Sequence, residues 1–110
     1  MNSNYKRGDV YLVQESQTEG SEIKKTRPWV IVGADGLNRA RSTVIAIPLS
    51  TQVKEIPYLS IKILLNGVSS CAILDQIRAL DKKRFIRHEG TLDAYELECI
   101  EKGLRYILCL

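Results

Sequence analysis

The chain has 110 residues, 45% hydrophobic and 26% charged, with sixteen Lys and Arg against thirteen Asp and Glu for a net charge of +3. This is the size of one ordinary globular domain spanning 1–110, able to build a core without disulfide or metal staples, and it excludes collagen-like, low-complexity and disordered chains. No apolar run approaches the roughly 18 residues a membrane-spanning helix requires, and residues 1–7 lack the apolar stretch of a secretory signal, so the expectation is a soluble, cytoplasmic protein with no membrane partner.

Five apolar stretches rich in Val, Ile, Leu and aromatic residues follow one another at 10–14, 28–32, 43–49, 58–65 and 71–77, separated by turn-forming segments. They predict five main strands. Only the fourth alternates cleanly, with Leu59, Ile61, Ile63 and Leu65 on one face and Ser60 and Lys62 on the other. The others are nearly continuous, as expected of strands covered on both faces by a barrel interior and by a helix or partner chain. Asn66-Gly67 is a strong two-residue hairpin signal and pairs the fourth stretch with the fifth. Asp93 followed by Glu96 resembles a capping box, after which Leu97, Ile100, Leu104, Ile107 and Leu108 recur at helical spacing. The architecture so predicted is mostly β: a small antiparallel barrel of five main strands with a C-terminal amphipathic helix. Gly103 lies within that helix at some cost, tolerable if another backbone passes close by.

Charge is unevenly spread. Residues 24–41 carry a local balance of +4, and residues 89–110 one of −3. Such a chain can present a positive face to a polyanion. Cys71, Cys99 and Cys109 form an odd set without a CxxC pair, and His88 is the only histidine, so the sequence offers neither a disulfide framework nor a Cys/His zinc site. All three cysteines read as reduced and mostly buried thiols. His88, in the polar segment 87–90, reads as a solvated loop residue, which disfavours a histidine-based triad or two-histidine nuclease site. There is no phosphate-binding glycine loop and no carboxylate cluster of metal-ligand character.

What remains is a set of polar residues at strand ends. Arg27 precedes Pro28 and the apolar run that follows it. Ser50 and Thr51 close the third stretch. Asp75, Gln76 and Arg78 interrupt the fifth, where buried polar groups need partners. If the barrel gathers these segments, an arginine, a hydroxyl and a carboxylate–carboxamide pair converge; the plainer reading makes Arg27 and Asp75 a structural ion pair.

The blocks Lys6-Arg7-Gly8-Asp9-Val10-Tyr11, Gly20-Ser21-Glu22 with Arg27-Pro28-Trp29-Val30-Ile31-Val32, Ile47-Pro48-Leu49-Ser50-Thr51 and Leu74-Asp75-Gln76-Ile77-Arg78 running on to Arg84 together resemble the MazF/PemK toxins, in family order and nearly family spacing. The resemblance implies an SH3-like barrel that forms homodimers, and a toxin of a toxin–antitoxin module that cleaves single-stranded RNA at short sequences. It also implies a cognate antitoxin whose acidic disordered tail blocks the RNA groove; the basic segment suits both polyanions. The family's catalytic arginine falls on Arg27 and its hydroxyl residue on Ser50, with Thr51 the alternate. Its acid–Gln pair, used for base recognition or for catalysis, falls on Asp75 and Gln76. Some relatives carry an Arg where this chain has Ile73 and a His where it has Ser21, so a route needing those groups does not transfer.

The expected chemistry, free of metal and other cofactors, is attack of the ribose 2′-hydroxyl on the adjacent phosphate, leaving a 2′,3′-cyclic phosphate and a 5′-hydroxyl. Arg27 would steady the phosphate and Ser50 hydrogen-bond it. Because arginine is a poor base near neutrality, the proton would pass to Asp75, Glu22 or water. Asp75 and Gln76 would read base edges, with Asn38 and Arg39 as further loop contacts. A competing reading is a non-catalytic toxin of the same barrel that acts by binding DNA gyrase. Such toxins use exposed, commonly aromatic, C-terminal helix residues, whereas the apolar end Tyr106-Ile107-Leu108-Cys109-Leu110 reads as packed.

Overall fold

The structure, a computed structural model, describes residues 5–15 and 25–110. Over these residues the chain runs β1 (Asp9–Gln14), β2 (Thr26–Ile31), α1 (Asp35–Ala40), β3 (Thr43–Ser50), β4 (Ser60–Leu65), β5 (Val68–Ile73), β6 (Arg78–Asp81), β7 (Phe85–Thr91) and α2 (Ala94–Ile107), with 3₁₀ turns at Leu74–Gln76 and Lys82–Arg84. The strands pair antiparallel in the order β4-β5-β3-β2-β1-β7, and β6 joins β3 as well.

β3 changes partner along its length. Thr43 through Ala46 pair with β6, whereas Leu49 and Ser50 pair with Ala72 and Cys71 of β5. Pro48, which has no N–H to give, falls in the gap between the two. The sheet curls at this switch into an antiparallel half-barrel. Its two faces bury two apolar clusters, which explains why the strands read as nearly continuous. Val10, Val30, Ile47, Leu49, Ile63 and Leu74 pack with Ile100 of α2. On the other face Tyr11, Val13, Trp29, Ile31, Val44 and Leu80 are closed over by Tyr5 and Phe85, whose rings lie 5.3 Å apart.

The hairpin signal is realised: Asn66 (φ 52°) and Gly67 (φ 81°) join β4 to β5 with Leu65 opposite Val68. So is the capping box, in which Asp93 Oδ1 accepts from Glu96 N at 2.8 Å and Glu96 Oε1 from Asp93 N at 3.2 Å. The tail of α2 departs from expectation. Its inner stripe ends with Ile107, leaving Tyr106 67% and Leu110 81% exposed, with Tyr106 stacked on Tyr58 at 4.9 Å. The end of the helix is therefore an exposed apolar surface.

Other sequence expectations need correcting. The fifth stretch is not one strand over 71–77, because the chain leaves the ladder after Ile73. Leu74 then drops into the core, and Asp75 and Gln76 stand exposed in the 3₁₀ turn. α1 replaces a presumed loop. β6 and β7 carry no clear apolar signature, because β6 is four residues long and β7 is an edge strand, bulged against β1, with Ile86 facing outward. His88 consequently lies in β7, edge-on to Tyr11, with Nε2 3.5 Å from Asp9 Oδ1. Cys71 is buried as expected, Cys99 half-buried, but Cys109 exposed. Among the described residues no helix is long and apolar enough to cross a membrane.

Candidate active site

The N-terminal end of β2 lies near the C-terminal end of β3 because the two strands are antiparallel neighbours, with Trp29 opposite Pro48. Arg27, two residues before Trp29, and Ser50, two after Pro48, therefore meet where these two central strands end. They line a single cavity of about 520 Å³ together with Thr51, Gln52, Asn66 and Glu89. The β4–β5 hairpin forms one wall by leaning on β7. Asn66 Nδ2 donates to the Glu89 carbonyl at 2.9 Å, and the Leu65 side chain packs closely over Gly90, where a Cβ would lie 2.8 Å from Leu65 Cδ1.

Within the cavity Ser50 is nearly buried, and its Oγ accepts from Gln52 N at 3.0 Å, which tightens the bend after β3. That bond uses a lone pair, so the hydroxyl proton remains available to a ligand oxygen. Thr51 is exposed beside it. Arg27 is paired, but not with Asp75. Its Nε lies 3.1 Å from Glu15 Oε2, and the same oxygen accepts from Trp29 Nε1 at 2.8 Å. With side chains 39% and 25% exposed, the Arg27–Glu15 pair adds little to stability, about 0–1 kcal/mol for pairs of this kind. Glu89 is held by Arg87, whose Nε lies 2.8 Å from its carboxylate.

A second cavity of about 410 Å³ is lined by Glu15 together with Trp29, Gln76, Arg78 and Arg84. Gln76 lines this second cavity, which the Glu15–Arg27 pair links to the first, while Asp75 lines neither. Arg39 stands apart, in a small depression with Tyr5, Lys6 and Asp35. Asn38 is not on an open loop: it is 1% exposed within α1, with Nδ2 donating to the Gly33 carbonyl at 2.9 Å, so its side chain has no access to a ligand. Glu22 lies outside the described residues. Glu15, Asn66 and Glu89 were missed by the sequence reading. Nothing local marks them, because they reach the site through strand neighbours distant in sequence.

A curled antiparallel half-barrel closed by a C-terminal helix, with a cavity that joins Arg27 and Ser50 where two central strands end, defines a class of small one-domain barrel proteins. Residues 6–108 match the family described as PemK-like, MazF-like toxin of type II toxin-antitoxin system, and the chain belongs to it. It is 31% identical over 110 residues to Endoribonuclease EndoA of Bacillus subtilis (strain 168), covering 96% of this chain and 95% of that protein. Its fold is that of the MazF crystal structure from Deinococcus radiodurans (TM-score 0.82, 20% identity, 99% of this chain and 100% of that one). It is likewise that of a mycobacterial endoribonuclease in complex with its cognate antitoxin (TM-score 0.81, 24% identity, 96% and 95% covered).

Proposed function

We propose that this endoribonuclease toxin of the PemK/MazF family cuts single-stranded cytoplasmic RNA without a metal, through Arg27 and Ser50. The observation that carries the reading is that both line one cavity although 22 intervening residues separate them in the chain. In the step assigned here the ribose 2′-oxygen forms a bond to the adjacent phosphorus as the P–O5′ bond breaks. The 2′-hydroxyl proton leaves to a base, and the 5′-oxygen gains a proton from water. Arg27 offers its Nη donors to the phosphate oxygens, where charge rises most in the transition state, a contribution of several kcal/mol in a partly dry cleft. Ser50 donates its remaining proton to the same phosphate; with no base beside it, it is no nucleophile. Glu89, the carboxylate lining the cavity, takes the 2′-proton; Asp75 lines neither cavity. Gln76, in the second cavity, reads the edge of a neighbouring base, and Arg78 and Arg84 beside it hold the strand electrostatically.

Arg27, Arg78 and Arg84 offer cations to the acidic tail of a cognate antitoxin, and the exposed Tyr106, Leu108 and Leu110 supply an apolar surface for a homodimer. The exposed tail also removes the argument that set aside the gyrase-binding reading. What favours RNA cleavage is the Arg27–Ser50 cavity together with the family membership. Incubating the purified protein with a mixed-sequence RNA in excess EDTA and mapping the ends tests the proposal. Cyclic phosphate and 5′-hydroxyl termini are expected from wild type and not from Arg27→Ala. Strict dependence on added Mg²⁺, or wild-type cutting by Arg27→Ala, refutes it.

A further inference from the structure

We infer that Glu15 is a positioning residue that ties the Arg27 guanidinium to the protein core through the Trp29 indole; this rests on the RNA-cleaving reading of the Arg27 cavity. Glu15 immediately follows β1. Its backbone is held on both sides, with N–H donating to the Lys25 carbonyl at 2.8 Å and carbonyl accepting from Arg84 Nη2 at 3.1 Å. Register places Val13 opposite Arg27, so Glu15, two residues after Val13 and just beyond the end of β1, projects from the same face as Arg27 and Trp29, which are themselves two apart on β2. One carboxylate oxygen, Oε2, therefore meets both the Arg27 Nε at 3.1 Å and the Trp29 Nε1 at 2.8 Å.

The two donors differ in mobility. Trp29 is 4% exposed and wedged among Val13, Ile31 and Leu80, so its indole N–H is a fixed point. Arg27 carries a long, part-exposed side chain that would otherwise sample many rotamers. Glu15 transfers the rigidity of the core to that side chain. Occupying Nε fixes the guanidinium plane and leaves the two terminal nitrogens as a fork for a phosphate. Its negative charge opposes substrate binding in the ground state, so the arrangement is suited to raising turnover rather than tightening affinity.

The test compares Glu15→Ala, Glu15→Gln and Trp29→Phe with wild type in steady-state cleavage of a short single-stranded RNA. Alongside it, NMR detection of the Arg27 Nε–H resonance and thermal unfolding show whether each variant is folded. Glu15→Ala is expected to lower kcat roughly 10- to 100-fold with KM unchanged or lower, the scale of a misplaced catalytic group. Glu15→Gln, which keeps an oxygen for both donors, restores kcat to within about threefold of wild type. Trp29→Phe lowers kcat in the wild-type background but has no further effect in Glu15→Ala, because the two act in one chain. The protected Nε–H signal of wild type is lost in Glu15→Ala. Wild-type kcat in folded Glu15→Ala, a persistent Nε–H signal in it, or independent, multiplying losses from the two positions overturns the proposal. A Gln variant as slow as the Ala variant also overturns it and assigns the carboxylate to proton transfer. If wild type cuts no RNA, the functional reading fails, while the Nε–H signal in wild type and Glu15→Ala still decides whether Glu15 orders Arg27.

Discussion

Replacing Gly103 by Ala sets two effects of known size against each other. In the interior of α2 the substitution gains helix propensity, up to about 1 kcal/mol. The new methyl, however, would lie 2.3 Å from Leu74 Cδ1 and 2.9 Å from the Tyr58 carbonyl oxygen. Leu74 is fully buried, so its side chain can yield only against its core neighbours. The Tyr58 carbonyl belongs to a segment pinned by the Leu74 N–H to Leu59 carbonyl bond at 2.9 Å and by the Ile56–Ser60 bridge. The helix must therefore back away from the sheet, opening the Ile100 contact, and such overpacking costs about 1–3 kcal/mol. The net expectation is a loss of about 1–2 kcal/mol, seen as a Tm lowered by roughly 5–10 °C in a domain of this size. Thermal unfolding followed by circular dichroism at fixed protein concentration measures it. Lys102→Ala, at an exposed neighbouring position, serves as the control and stays near wild type. A Tm for Gly103→Ala equal to or above wild type would show that propensity outweighs contact and refute the reasoning.

Asp93→Ala removes the acceptor for the Glu96 N–H and loosens Glu96, whose Oε2 also accepts from Leu64 N at 2.8 Å; a destabilisation of about 1 kcal/mol is expected in urea titration, and an unchanged midpoint would contradict it. Burial pushes the Cys71 thiol up, with Glu55 adding to the shift, whereas Cys109 is exposed. At pH 8 a thiol reagent is thus expected to label Cys109 rapidly and Cys71 only after unfolding, as mass spectrometry of the modified peptides will reveal; early labelling of Cys71 would show the site to be open. Glu89→Gln, which keeps the side chain's shape but removes its basic oxygen, is expected to slow single-turnover RNA cleavage at neutral pH roughly 100-fold, and a wild-type rate would assign the base elsewhere.

Much of the fold was legible in local sequence because the relevant physics is local. The Asn66-Gly67 turn, the Asp93–Glu96 cap and the stripe from Leu97 to Ile107 depend on dihedral preference and on spacing within one element. Four of the five strand stretches hold for the same reason, since a run of β-branched residues identifies a strand wherever it is placed. The family was also readable, because its blocks follow the chain.

What lies beyond the sequence is decided by partner choice. Asp75 and Gln76 could not be placed while the fifth stretch read as one strand; their exposure follows from Leu74 seeking the core under α2. Arg27 could not be matched to Glu15 by residue type, since any carboxylate would serve, and only the β1–β2 register and a buried indole select that one. Asn38 looked like a loop contact until a short helix buried it. Local preferences determine which segments become strands and helices. Which distant side chains share a cavity is fixed only when the sheet curls, because charge and hydrogen bonding act through space across whatever strands burial has made neighbours.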